Sequence, residues 1–281
     1  MNNRSTYDAV CIAASRKTTG AFSTSFSLGI RLLHKRFRDP VHAIYGFVRF
    51  ADEIVDTFHG PVQHELFDRF RADTEHALKH RISLNPILHS FQKAAHRFGI
   101  EREPIDLFLD SMATDLYRTT HDRASYDRYI LGSAEAVGLM CLRVFAEGDD
   151  ALFERLKEQA MSLGAAFQKV NFLRDLRQDN VELGRSYFPG IDLRTMTAEQ
   201  KTAIEADIEA DLEHALEGIR QLPHGARSGV HVAYLFQRAL FAKIRSTPPH
   251  ELFTRRIRVH GVRKARLVLG TVVQYRLNLL S

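Results

Sequence analysis

Apolar residues recur at three- and four-residue intervals along almost the whole 281-residue chain, and no run alternates apolar with polar over a strand's length. Such a period is buried by packing helix against helix, so the chain is expected to be all-α. The spacing predicts helices near 5–16, 20–33, 40–58, 62–81, 84–98, 102–119, 123–147, 150–181, 197–220, 225–246 and 251–279. Asp39-Pro40 marks the third start, because proline suits the first helical turn. Pro223, Pro248-Pro249 and Gly261 mark later breaks. Residues 182–196, with Gly184, Pro189 and Gly190, lose the periodicity and read as a loop flanking a site. No solenoid repeat or low-complexity linker divides the chain, so residues 1–281 read as one helical domain.

A hydrophobic fraction of 44% supplies enough apolar material for a sizeable core and an internal cavity, and excludes disorder. The net charge of +5 is too slight and too scattered for a nucleic-acid partner. Its local concentrations, Arg255–Arg258 and Arg263–Arg266, suit a solvated face, phosphate groups or an anionic membrane surface. Cys11 and Cys141 offer neither a disulfide framework nor metal spacing. The N-terminus leads into no secretory core, and no run reaches the ~18 apolar residues needed to span a bilayer. A cytoplasmic setting is expected, any membrane contact being peripheral at the inner face.

Two acidic pairs carry the chemistry. Asp52 and Asp56 are four apart, on one helix face and about 6 Å apart along the axis, with Arg49 three residues earlier on the same side. Like charges so placed cost an isolated helix about a few tenths of a kcal/mol, a penalty that a divalent cation reverses. Asp175 and Asp179 repeat the arrangement, preceded on the same face by Gln168 and Asn171. That polar stripe lies on a helix otherwise packed through Phe167, Val170, Phe172, Leu173 and Leu176, so it should face water or a cavity. Two such helices face to face would pool hard oxygen ligands with open positions, which suits Mg²⁺ shared with a substrate phosphate. Arg49, Arg174, Arg177 and Arg185 supply fixed positive charge for diphosphate oxygens.

These segments resemble the squalene/phytoene synthase family. The resemblance rests on Tyr45 to Asp56, on Gln168 to Asp179, and on the exit Gly184-Arg185-Ser186-Tyr187-Phe188-Pro189. Tyr129, Val137-Gly138-Leu139-Met140 and the opening Ser23-Thr24-Ser25-Phe26-Ser27-Leu28 extend it over about residues 20–260. It implies an isoprenoid synthase bundle around an apolar cavity, and Mg²⁺, with Mn²⁺ as an alternative, at Asp52, Asp56, Asp175 and Asp179. It implies diphosphate or metal-shell contacts from Arg49, Gln168, Asn171 and Arg174, and cavity-lining catalytic roles for Tyr45 and Tyr129. Phe26 is expected at the substrate, with Phe22, Phe47, Leu139, Phe167 and Leu173 as further wall candidates. Three positions depart from the family pattern: Thr24 replaces a basic residue, Glu135 a small one and Gln237 a tyrosine for which Tyr234 could substitute.

The resemblance implies condensation of two geranylgeranyl diphosphates to phytoene, the first step of carotenoid biosynthesis. Farnesyl diphosphate as substrate, giving squalene or dehydrosqualene, is the alternative, and a non-catalytic assembly protein is the alternative of another class. No G-x-G-x-x-G fingerprint follows a strand, which leans toward phytoene, although reductive squalene formation can use other NADPH sites; a phytoene synthase is expected to use no NADPH.

Overall fold

A computed structural model describes residues 2–192, 195–254, 256–259 and 261–276. Among them the chain is helical throughout, with one isolated parallel bridge, Thr120 to Ser186, and no strand. The first half runs α1 (Asn3–Phe22), α2 (Thr24–Leu32), α3 (Lys35–Asp56), α4 (Val62–His80), α5 (Pro86–Phe98) and α6 (Arg102–Thr114). Then come α7 (Arg123–Ile130), α8 (Ala136–Ala146), α9 (Asp150–Arg177), α10 (Ala198–Gln221), α11 (His224–Arg245), α12 (Pro249–Leu252) and α13 (Gly261–Arg276).

Local chemistry fixes many of the boundaries. Ser23 separates α1 from α2: its amide closes α1 on Thr19, and its hydroxyl accepts from Phe26 N at 3.1 Å. Asn85 caps α5 with Pro86 in the first turn, and Thr197 with Gln200 forms a reciprocal capping box on α10.

Several expected boundaries move: α1 runs on to Phe22 instead of ending at 16, α2 starts at Thr24 instead of 20, and α6 ends at Thr114 instead of 119. The third helix starts at Lys35, not at Pro40, which lies inside it. Burial of Phe37 and Val41 draws the earlier turn into the core, and that outweighs the amide donor proline lacks. The single helix expected over 251–279 is instead α12 and α13 with an irregular link at 256–259, while 277–279 lie outside the described residues.

The buried residues form two clusters. One gathers α3, α5, α6 and α8, and its pillar is Phe47, fully buried and stacked on Phe91 with ring centroids 3.9 Å apart. The other gathers α9, α10 and α11 around Val170, Leu173, Ile208, Leu212 and Phe241. The helix α9 approaches α8 and the helical turn before it so closely that a Cβ on Gly138 would sit 2.4 Å from the Ala160 carbonyl oxygen, and one on Gly164 2.4 Å from that of Ala134. Only glycine permits that contact, which forms one long wall between the clusters. The continuous helical stretch Arg123–Ala146 is long and apolar enough to cross a bilayer, but 67% of its most apolar window is buried, as in a core helix.

Candidate active site

The helices α3 and α9 bring their acidic ends to one mouth of a cavity of about 1000 Å³. Asp52 and Asp56 from α3 line it together with Asp175 from α9 and Asp179 from the π-helical turn Gln178–Glu182 that extends α9. Arginines surround these acids. Arg49 pairs with Asp52 and Glu53, its guanidinium 4.5 Å above the Phe22 ring. Arg174 Nε donates to both Asp175 carboxylate oxygens at 3.0 Å, and Arg256 Nε lies 2.7 Å from Asp175 Oδ1. Arg185 Nη1 donates to Asp56 Oδ1 at 2.5 Å.

The acids still repel one another. Asp52 opens onto the cavity but is otherwise enclosed; burial, and then the neighbouring Asp56 charge, push its carboxyl up to about 7. Burial, then Asp175 and Asp56, push Asp179 up to about 8. A third buried acid, Asp115, follows α6 and lines the same cavity, raised to about 7 chiefly by burial. Its Oδ2 accepts the Tyr129 hydroxyl at 2.7 Å, and its Oδ1 is buried without a partner. Tyr187 stacks on Phe172 with centroids 4.0 Å apart and closes this corner.

A raised carboxyl pKa sets a pH dependence of stability. The native state holds protons on Asp179 that the unfolded chain releases above pH ~4, so folding loses stability as pH rises from about 4 to about 8. Chemical denaturation of the metal-free protein across that range should show this loss to be smaller in Asp179→Asn. Equal pH slopes in wild type and variant would show that the carboxyl is not raised.

Below the acids the wall turns apolar. Arg49, Gln168, Asn171 and Arg174 line the upper part, with Tyr45, Tyr129 and Phe26 beside them. Phe26 lies 5.6 Å from Tyr45 and 6.2 Å from Phe167 between ring centroids. All eleven residues singled out for the site thus face one cavity, as do the wall candidates Phe22 and Phe167. Phe47, Leu139 and Leu173 do not line it. Each is one or two residues, roughly 100–200° of helix, from a lining neighbour and therefore points into a core cluster. Arg177 is exposed away from the cavity for the same reason.

Comparison with known proteins decides the family. The squalene/phytoene synthase family model matches residues 19–263. The chain belongs to the squalene/phytoene synthase family. The members of this family are prenyltransferase-type enzymes. Among its relatives, a presqualene diphosphate synthase of Zymomonas mobilis is 32% identical over 200 residues, 69% of this chain and 64% of that protein. One from Rhodopseudomonas palustris is 30% identical over 66% of each chain, so these matches span just under two thirds of the relatives' lengths. A 15-cis-phytoene synthase of a Paracoccus species is 28% identical over 88% of this chain and 86% of its own. In fold, a dehydrosqualene synthase crystal structure superposes with a TM-score of 0.83 at 20% identity, covering 96% of this chain and 98% of the other.

Against that family pattern, the departures at Thr24 and Gln237 take on a structural form. Lys264, from α13, donates to the Thr24 hydroxyl at 3.1 Å and lines the cavity, bringing a cation to the place where the sequence lacks one. Gln237 lines the cavity, whereas Tyr234 is buried in the second core cluster and does not substitute for it. Glu135, raised to about 7 by burial and then by Asp211, lies off the cavity. Sequence reasoning missed Asp115, and it named the basic runs holding Arg256 and Lys264 as one option for phosphate groups without singling out either residue. Asp115 stands alone with no acid four residues away, and Arg256 and Lys264 sit within basic runs that read equally well as solvated.

Proposed function

We propose that this protein joins two isoprenyl diphosphates head to head, and that it makes phytoene from two geranylgeranyl diphosphates. The observation that carries the reading is the union of two carboxylate pairs with one elongated apolar chamber. Along α9, lining residues recur every turn from Asp175 down to Leu156, a run of about 28 Å at 1.5 Å per residue. An extended chain advances about 1.2 Å per bond, so a geranylgeranyl tail spans about 18 Å and a farnesyl tail about 13 Å. The longer tail, with its diphosphate at the acids, uses the chamber more fully.

The donor set fits magnesium. All four acids offer hard oxygens, and the repulsion that adds to burial in raising Asp52 and Asp179 is the kind a divalent ion relieves. Among the described residues no three potential ligands form a ready-made cage, which suits an ion completed by substrate phosphate oxygens. Asp52, Asp56, Asp175 and Asp179 would hold it, and the bound ion supplies charge neutralisation to a leaving pyrophosphate.

The chain's own groups account for the rest. Arg49, Arg174 and Arg256 present preorganised positive charge where the allylic C–O bond breaks to a carbocation and pyrophosphate. The faces of Tyr45 and Tyr129 stabilise that cation, and the apolar wall keeps water from it. A double bond of the second chain attacks the cation, and loss of a proton closes the ring to the cyclopropyl prephytoene diphosphate. Loss of the second pyrophosphate, rearrangement and proton loss then yield phytoene.

A second reading, presqualene diphosphate or squalene formation from farnesyl diphosphate, is supported by the 30% and 32% identity to presqualene diphosphate synthases. Incubation with each diphosphate and Mg²⁺, with and without NADPH, followed by lipid and pyrophosphate analysis, separates the two. Pyrophosphate release with neither substrate would instead favour a non-catalytic role. Ile30, 3% exposed on the chamber wall one turn beyond Phe26, gives a chain-length prediction. Ile30→Phe narrows the wall and should shift the kcat/KM ratio toward farnesyl diphosphate by about tenfold or more, the effect expected of added bulk in a filled pocket. An unchanged ratio would remove Ile30 from the path of the tail.

A further inference from the structure

The far end of the chamber carries one polar group that the reaction does not require. Gln159 lines it on α9, sixteen residues and thus about 24 Å below Asp175. Its neighbours on the lining are apolar: Leu156 and Ala160 on α9, Phe145 on α8, Ile219 and Leu222 on α10 and its end. The Gln159 side-chain carbonyl Oε1 is buried with no hydrogen-bond partner. An amide oxygen in such a place is costly unless water or a ligand donor reaches it.

A second observation explains how Gln159 is held. A Cβ built on Gly218 of α10 would lie 2.3 Å from Gln159 Cβ and 3.0 Å from its Cγ. The stem of Gln159 therefore leans on the bare backbone of Gly218, and any side chain there would press the amide into the chamber.

We propose that Gln159, seated on Gly218, is the floor that sets the maximum tail length, acting by polarity as much as by bulk. The inference rests on the isoprenyl diphosphate reading above. With the diphosphate at Asp175 taking up the first part of that run, an extended geranylgeranyl tail of about 18 Å ends just short of the amide, which lies about 24 Å below Asp175. A tail longer by one isoprene unit, about 23 Å below the same head group, has to pass the amide and lays hydrocarbon against an acceptor that no donor satisfies. Chain length is thus limited where hydrocarbon meets an unsatisfied acceptor, and the apolar space around Leu156 beyond it goes unused.

The test is a binding ladder, so that it does not depend on turnover. Non-ionisable thiodiphosphate analogues with fifteen-, twenty- and twenty-five-carbon tails are titrated by calorimetry in the presence of Mg²⁺ into wild type, Gln159→Met and Gly218→Ala. In wild type, affinity should rise from the first to the second and gain nothing at the third. Gln159→Met keeps nearly the same volume but removes the acceptor. It should bind the twenty-five-carbon analogue about tenfold more tightly than wild type does, a gain equal to nearly two buried methylenes. Gly218→Ala should lose its preference for twenty over fifteen carbons, while circular dichroism shows the helices intact.

A wild-type ladder still rising at twenty-five carbons, or a Gln159→Met ladder identical to wild type, overturns the floor. Failure of wild type to bind any analogue overturns the substrate reading itself, and the floor with it. Binding of all three without a break at Gln159 overturns the floor alone.

Discussion

Asp175→Asn should lower turnover by at least about 10²–10³-fold, the scale seen when one preorganised electrostatic group is removed from a reaction that develops charge. Asp175 stands where the lines of force meet: Arg174 and Arg256 both pair with it, and its charge is among the causes that raise Asp52 and Asp179. Asparagine keeps the shape and one oxygen but removes the negative charge that would hold Mg²⁺, and leaves two arginines without their carboxylate. Asp52→Asn should act in the same direction from the opposite helix. The control is helical content, which neither change should alter, since both side chains face the chamber and not a core cluster. Pyrophosphate release at saturating substrate and Mg²⁺ is the readout. Turnover within threefold of wild type in Asp175→Asn would detach the acid from the chemistry.

Much of this site was legible because a helix turns spacing into direction. Asp52 and Asp56, or Gln168, Asn171, Asp175 and Asp179, share a face by arithmetic, and each of these residues lines the chamber. The same arithmetic, applied without knowing where the cavity lay, misplaced the apolar wall. Phe47 is as aromatic as Phe26, but it stands about 200° of helix from Tyr45 and so stacks on Phe91 in the core. The departure at Pro40 has a similar cause: proline marks where a helix tolerates it, while burial of Phe37 decides where the helix begins.

What sequence could not give was convergence between elements far apart in the chain. Asp115 joins the site only because α6 ends against the Tyr129 hydroxyl. Arg256 belongs to a basic run that suits a solvated face as well as phosphate groups, and only the return of the chain after α12 puts its guanidinium on Asp175. The polar floor at Gln159 is of the same kind. A glutamine on an amphipathic helix is unremarkable until Gly218 of another helix is found beneath it.

The largest stability effect is expected at Arg185, which ties three segments together beside the site. Its side chain is only 7% exposed. Nη1 donates to Asp56 Oδ1 at 2.5 Å, while Nη2 donates to the Val55 carbonyl at 2.9 Å and the Asp115 carbonyl at 3.3 Å. The backbone follows suit: Arg185 N donates to the Asp179 carbonyl, and Ser186 N to that of Thr119. Burial disfavours a charged guanidinium, yet Asp115, Tyr187 and Asp56 together hold its pKa above the ordinary arginine value. Arg185→Leu removes the one cation shared by these acids and leaves Asp56 and two carbonyls to be resolvated in a confined space. Breaking a buried pair in this way costs about 3–5 kcal/mol, which for a chain of this size lowers Tm by roughly 6–20 °C. Arg185→Lys keeps the charge but not the fork, reaches fewer of the acceptors at once and should fall between. Asp56→Asn in the Arg185→Leu background should cost less than the sum of the two single changes, because the acid left stranded is already neutral. Thermal melts of wild type, the three single variants and the double variant at one pH and one salt concentration measure this, and a loss below about 0.5 kcal/mol for Arg185→Leu would make the clamp an ordinary surface pair.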